Sequence, residues 1–270
     1  MSTTGKLAQP INGAISRQSP ADTRRVPQSR LNRVELRKLM DTRAGFWLLA
    51  GIGLMTAAVI VIFMFAGDAR ELTFSNFVNA TGTPQGILLP VLGILAVTSE
   101  WGQRTGLVTF TLEPHRGRIV IAKLVATVVL GAVAVVVALG LAAAANVVAA
   151  VAFGGDGSWT LGVEGVRDIL AIQLIGVVQG VALGMLIMNS AGAIVAYFAI
   201  PTIWGILTST MEWFADIGRW VDLNTTSIPL TTHQMDGDAW LRLAVSVAIW
   251  VLVPLVLGVV RLLHREVKSA

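Results

Sequence analysis

Two stretches of the chain gather side chains that can do more than pack. "VELRKLMDTRAG" (Val34–Gly45) offers Glu35, Lys38, Thr42 and Arg43 just before a long apolar run. "TSEWGQRTGLVTFTLEPHRGRIVIAK" (Thr98–Lys123) offers Glu100, Arg104, Glu113, His115, Arg116, Arg118 and Lys123 between two further apolar runs. Only 13% of residues are charged, so seven ionisable groups in one connector call for partners: each other, lipid headgroups, or a protein surface. Thiol chemistry, disulfide scaffolds and thiolate zinc sites are excluded because the chain has no cysteine. His233 with Asp236 and Asp238 comes nearest to a metal cluster, but one histidine among loop acids reads as a solvated loop. No residue is assigned a catalytic role and no metal site is expected. A G-x-x-x-x-G-K-[ST] loop is also missing, so this chain does not bind nucleotide by that route.

The elements that must position these groups are membrane spans. The chain is 54% apolar with a mean hydropathy of +0.73, which places it in the membrane class. The isoelectric point near 10.1 then reflects Lys and Arg held on one side of a bilayer rather than nucleic-acid binding. A spanning helix needs about 20 apolar residues, at about 1.5 Å each across roughly 30 Å of hydrocarbon. Stretches free of charge predict spans over about 45–67, 84–104, 119–153, 166–188, 191–210 and 240–263. "TFSNFVNATG" is too polar to open the second span, which is expected to start with Thr83 as cap and Pro84 as first residue. The stretch 169–211 is twice the length of one crossing and is divided at "MNSAG", where Ser190 can cap a new helix. Six spans put both termini on one side, with sixteen Lys and Arg there against four opposite, a cytoplasmic assignment. Residues 1–29 are polar and proline-bearing, and read as a disordered cytosolic arm rather than a signal peptide.

Before the first span, residues 30–43 predict an interfacial amphipathic helix. Leu31, Leu36, Leu39 and Met40 fall on one half of the wheel, and Arg30, Arg33, Arg37, Lys38 and Asp41 on the other. Glu35 and Arg43 interrupt the apolar half. Such a helix is expected in the headgroup plane with its cations toward anionic lipid. In the connector, Glu100 and Arg104 are spaced for an i,i+4 pair. "GLVTFTL" (Gly106–Leu112) is too short to cross a bilayer and too apolar for water, the pattern of a contact surface. Arg116, Arg118 and Lys123 are expected at headgroup level.

These two stretches resemble the permease subunit of the ABC-2 group of ABC transporters. That family shares an interfacial helix of the form E-x-x-K-x-x-x-T-R, matched here by Glu35, Lys38, Thr42 and Arg43. It also shares a connector that carries Glu, Thr, Pro, Arg and Lys in that order, matched by Glu100, Thr105, Pro114, Arg116 and Lys123. One departure is "TFTLE", where family members commonly carry a Leu-rich turn. The resemblance implies an all-α, six-span exporter fold that pairs with a second copy or a paralogue. It implies a separate cytosolic ABC ATPase that carries the ATP and Mg, while this chain holds no cofactor. It also implies multi-pass residence in a plasma membrane, in a bacterium, with both termini cytoplasmic. Coupling to the ATPase would then run through Glu35, Lys38, Arg43, Glu100, Gln103, Arg104, Thr105, Leu107, Phe110, Glu113, Pro114 and Arg116, with a short coupling helix at about 103–113. The cargo would be a hydrophobic or amphipathic drug, antibiotic, peptide or lipid. The other reading is a non-transporting anchor, immunity or sensor subunit that partners an ATPase.

Within the spans no Asp, Glu, Lys or Arg falls near a midplane, which disfavours an ion-coupled transporter. Asn146, Gln173, Gln179 and Asn189 are expected to hydrogen-bond between helices. Pro90, Pro201 and Pro254 are expected to kink or open theirs. A cavity wall suits the aromatic residues Phe46, Trp47, Phe63, Tyr197, Phe198 and Trp204, the alternative being an interfacial aromatic belt. The acidic loop 211–240 is expected to hold re-entrant helices or an amphipathic helix on the outer leaflet.

Overall fold

The computed structural model describes residues 26–102 and 115–264, the side chains of Trp101, Ser209 and Glu212 excepted. Among the described residues every regular element is helical. In chain order they are α1 (Gln28–Asp41), α2 (Arg43–Ala66), α3 (Phe74–Gly102), α4 (Arg116–Ala152), α5 (Val163–Ile187), α6 (Ser190–Thr210), α7 (Glu212–Val221), α8 (Leu223–Thr231), α9 (Gly237–Val247) and α10 (Val253–His264). A π-helical turn, Ala248–Leu252, joins α9 to α10. Six helices are long and apolar enough to cross a membrane: α2 to α6, and the composite α9–α10. This is the pattern of a multi-pass membrane protein. The outward faces of α2 and α6 are apolar, with Leu54, Ile62, Phe65, Val195 and Ile203 all exposed, as lipid or a second subunit requires.

The observed helices follow the expected spans within a few residues, except at the start of α3. It begins at Phe74 rather than Pro84, and Thr83 caps nothing. The N-terminal donor is instead met by Thr73, whose Oγ1 accepts from the Asn76 amide at 3.3 Å. The polar run is helical because its apolar members are buried: Phe77 and Val78 pack against Ile60, Leu72 and an alanine stripe on α4, Ala142, Ala145 and Ala149. Its buried hydroxyl is satisfied within the helix, where Thr81 Oγ1 donates to Val78 O at 2.7 Å, and just beyond the run Gln85 Nε2 donates to Ala134 O at 3.0 Å.

The corner between α5 and α6 falls where expected, but Asn189 is its cap. Met188 closes α5 in the left-handed region (φ 56°), and Asn189 Oδ1 accepts from the Gly192 amide at 2.8 Å. Ser190 does a different job: its Oγ and Thr98 Oγ1 are hydrogen-bonded at 2.7 Å, tying the start of α6 to α3. Pro254 lies just past the π turn. Its ring lacks an N–H and crowds the carbonyl four residues back, and the wider turn accommodates that.

The loop 211–240 holds two short helices, α7 and α8. Asp222 caps α8, while Thr226 and Ser246 hydroxyls bond at 2.6 Å and join α8 to α9. His233 is not a solvated loop residue. Its Nδ1 lies 3.2 Å from Oδ2 of Asp168, which is 1% exposed and also accepts from Arg167 Nε at 2.8 Å. No group of three metal-ligating side chains occurs among the described residues.

The most extensive helix contact is α3 on α5. It is close because Gly180 has no Cβ: one placed there would lie 2.2 Å from Pro90 O. Gly180→Ala therefore forces the two backbones apart. Thermal unfolding in detergent should register a loss of about 1–3 kcal/mol, the usual range for overpacking. Gly140→Ala, on an open face of α4 with nothing within 4 Å, should leave the melting temperature unchanged or raised. Equal melting of the two variants would contradict the close approach.

Candidate functional site

The site is assembled at the end of the bundle where α1, α3 and α4 meet. α1 is positioned by a tight corner. Thr42 serves both flanking helices: its amide donates to Lys38 O at 3.2 Å, and its Oγ1 accepts from the Gly45 amide at 3.1 Å. A Cβ on Gly45 would fall 1.8 Å from Leu39 O, so only glycine allows the chain to fold back this closely. On the other side α1 is stitched to the start of α4. Gln28 Nε2 donates to Arg118 O at 2.9 Å, and Arg118 Nε to Gln28 Oε1 at 3.3 Å. A second Arg118 nitrogen donates to Val26 O.

Between these anchors lies a closed ring of four charges. Lys38 Nζ donates to Glu35 Oε1 at 2.7 Å and to Glu100 Oε1 at 2.9 Å. Lys123 Nζ donates to Glu35 Oε2 at 2.8 Å and lies 3.1 Å from Glu100 Oε1. The third proton of Lys123 goes to Ala96 O at 3.0 Å. Each ammonium thus touches both carboxylates, and the ring has no net charge. Glu35 is 6% exposed and Lys123 7%. Isolated ions of this kind are very costly to bury, so the ring exists only as a complete set.

Burial works against the Lys38 ammonium. The hydrogen bond to Glu35 and the charges of Glu100 and Glu35 outweigh it, and hold its pKa above the ordinary lysine value. A raised lysine pKa means its stabilising effect is full below the ordinary value and is lost only as pH climbs through the raised one. Lys38 therefore stays charged at any physiological pH.

Beside the ring is a cleft of about 350 Å3, walled by Leu39, Leu48, Leu92 and Leu95 and floored by Glu35, Lys38, Glu100 and Lys123. Around it the other helix ends are drawn in. Arg116 donates to Leu262 O at 2.8 Å, and Arg261 donates to Leu186 O. The ring end thus binds α1, α3, α4, α5 and α10 into one block.

Of the residues proposed from sequence, Glu35, Lys38, Glu100 and Arg116 meet here. Arg43 is exposed at the start of α2, outside the ring. Gln103, Arg104, Thr105, Leu107, Phe110, Glu113 and Pro114, with the coupling helix expected at 103–113, lie outside the described residues. One expectation is corrected. Glu35 is the buried hub of α1 rather than a flaw in its apolar face, so α1 packs on α3 and α4 instead of lying on lipid alone. Lys123 is buried within the bundle, with Glu35 opposite it.

The aromatic residues expected to line a cavity separate into three places. Phe46 and Trp47 are exposed on α2 and stack edge to face at 5.6 Å. Phe63 packs on Phe77 in the apolar core, at 5.5 Å between ring centres. Tyr197, Phe198 and Trp204 do share a cavity, of about 300 Å3, toward the end of the bundle opposite the ring. Its other walls include Gln179, Asp222 and Trp250, which sequence reasoning had not gathered. No signal in the linear sequence joins a helix-five amide to a loop acid.

No protein-family model matches this chain, and neither does any curated protein. The functional reading therefore rests on its own residues.

The ring predicts a specific stability pattern. Lys123→Met removes one of the two ammonium groups that hold the buried Glu35 carboxylate, leaves the ring with one excess negative charge, and should cost about 3–5 kcal/mol. The double variant Glu35→Leu with Lys123→Met removes one charge of each sign, leaves the Lys38–Glu100 pair, and should recover most of that loss. Thermal melting of purified protein in detergent checks both. Wild-type melting of the single variant would contradict the ring.

Proposed function

We propose that this chain is the membrane subunit of an ATP-driven exporter of the ABC-2 kind. In this reading it pairs with a second copy or a paralogue, and a separate cytosolic ATPase carries the ATP and Mg. The observation that supports it is the ion-pair ring of Glu35, Lys38, Glu100 and Lys123. Two of its members, Glu100 and Lys123, flank the connector whose apolar turn Gly106–Leu112 has the pattern of a protein contact.

The mechanical argument runs through that ring. A force applied to α1 reaches the spans through the Thr42 corner and the ring. The ring passes it to the ends of α3 and α4 together, and the Gly180 contact passes it from α3 to α5. Helices that move as a block can rock between two packings, as alternating access requires. The absence of a phosphate-binding loop in the sequence assigns hydrolysis to the partner. The cargo is hydrophobic or amphipathic, because the faces of α2 and α6 open to a partner or to lipid are apolar.

Transport decides the matter. Inside-out vesicles that contain the chain and its co-purifying Walker-motif ATPase should accumulate an amphipathic dye only with ATP and Mg. Leu107→Asp in the connector should abolish accumulation while leaving the melting temperature of the spans in place. A cysteine at His115 should react with an impermeant reagent in inverted vesicles and not in intact cells. Accumulation driven by a proton gradient without ATP, or labelling from outside, would overturn the reading.

A further inference from the structure

The cavity shared by Tyr197, Phe198 and Trp204 has chemistry that the ring does not explain. Its walls come from α3, α5, α6, the start of α8 and the π turn. Phe198 and Thr202 are exposed at its mouth, on the outward face of α6. Trp250 is held in place because its Nε1 donates to Val221 O at 2.6 Å, and its ring lies 6.1 Å from that of Trp204. The aromatic lining is thus fixed before any ligand arrives.

Three polar groups border this space. Gln179 lies on its wall and makes no side-chain hydrogen bond to another described residue, although only 6% of the residue is exposed. The bundle satisfies its other buried glutamines: Gln173 donates to Gly82 O at 3.3 Å and Gln85 to Ala134 O at 3.0 Å. Trp204 Nε1 is buried beneath the lining with no acceptor. A buried polar group left unpaired carries a cost and needs an explanation.

The third group is the carboxylate of Asp222, also 6% exposed. It accepts from the Asn224 amide at 3.1 Å, the Thr225 amide at 3.4 Å and Thr225 Oγ1 at 2.6 Å. Capping α8 accounts for these contacts. It leaves the charge without a cation, because no described Lys, Arg or His makes an ion pair with it, whereas Glu35 and Glu100 each have two lysine partners and Asp168 has Arg167. No basic side chain lines the cavity.

A carboxylate without a counter-ion, set among Tyr197, Phe198, Trp204 and Trp250, is an environment that attracts a desolvated organic cation and repels anions. The Gln179 amide on the cavity wall can donate to an oxygen acceptor on the same ligand. From this geometry we infer that the cavity binds a small organic ammonium that carries an apolar ring and an oxygen acceptor. The volume of about 300 Å3 suits one compact drug-sized molecule. If the exporter reading holds, this is where the substrate rests, and the substrate class is cationic amphiphilic amines. The binding site itself does not depend on that reading.

The test is direct binding to the full-length chain in lipid nanodiscs, with empty nanodiscs as background. Radiolabelled tetracaine, an aromatic ester with a protonated amine, serves as the probe. Its neutral analogue butyl 4-(butylamino)benzoate is the control. Saturable binding of the amine, with the analogue bound at least several-fold more weakly, is expected. Asp222→Asn keeps a good helix cap while removing the charge, so it should weaken amine binding by about tenfold or more. Gln179→Leu should also weaken it, with both variants melting near wild type. The inference is overturned if amine and analogue bind alike, if both variants stay within twofold of wild type, or if no saturable binding occurs. Binding without ATP-driven accumulation would sink the exporter reading and leave the site standing; accumulation without binding would do the reverse.

Discussion

An ammonium and a carboxylate taken out of water together are tolerable only while they hold one another. Lys123 and Glu35 live under that constraint, eighty-eight residues apart in sequence and 2.8 Å apart in space. The rest of the ring end follows from it. α1 must stay folded and docked to keep Glu35 in place, which in turn needs the Thr42 corner and the Gly45 approach. α4 must begin early enough to carry Lys123 inward. Its 37 residues, about 55 Å of helix, exceed a bilayer core and leave Arg116 and Arg118 outside to grip α10 and α1. Such rings rarely add net stability over an apolar core, but they define one arrangement of helices and penalise every other.

The two ends of the molecule use polar groups differently. At the ring end the buried charges among the described residues are matched, and the arginine side chains finish the helix carbonyls. In the opposite half, Asp168 is matched by Arg167 and His233, while the neighbouring cavity keeps Asp222, Gln179 and Trp204 incompletely met. Gln85 and Gln173 have backbone acceptors within the bundle, whereas Gln179 presents its amide to the cavity. The π turn before Pro254 contributes by setting Trp250 toward this space while α10 continues to pack on α5.

Much of the architecture was legible in the sequence because it is written in hydrophobic length. Six spans, the interfacial helix and the short corner after Met188 all follow from where charges stop and start. What was not legible is long-range pairing. On a helical wheel Glu35 interrupts an apolar face, and only the position of Lys123 across the bundle turns it into the hub. The start of α3 was obscured for a related reason: "TFSNFVNATG" is polar by composition, yet its Thr73 and Thr81 hydroxyls are bonded to the helix backbone and its Phe77 and Val78 are fully buried. Phe63 and Tyr197 are both aromatic residues in spans, and nothing local distinguishes the one in the core from the one at a cavity.

The neutrality of the ring has an electrical consequence. One unpaired charge moved across 100 mV of membrane potential exchanges about 2.3 kcal/mol with the field. Two lysines and two glutamates that travel together exchange almost nothing. The ring itself therefore adds almost no voltage dependence to the helices that carry it.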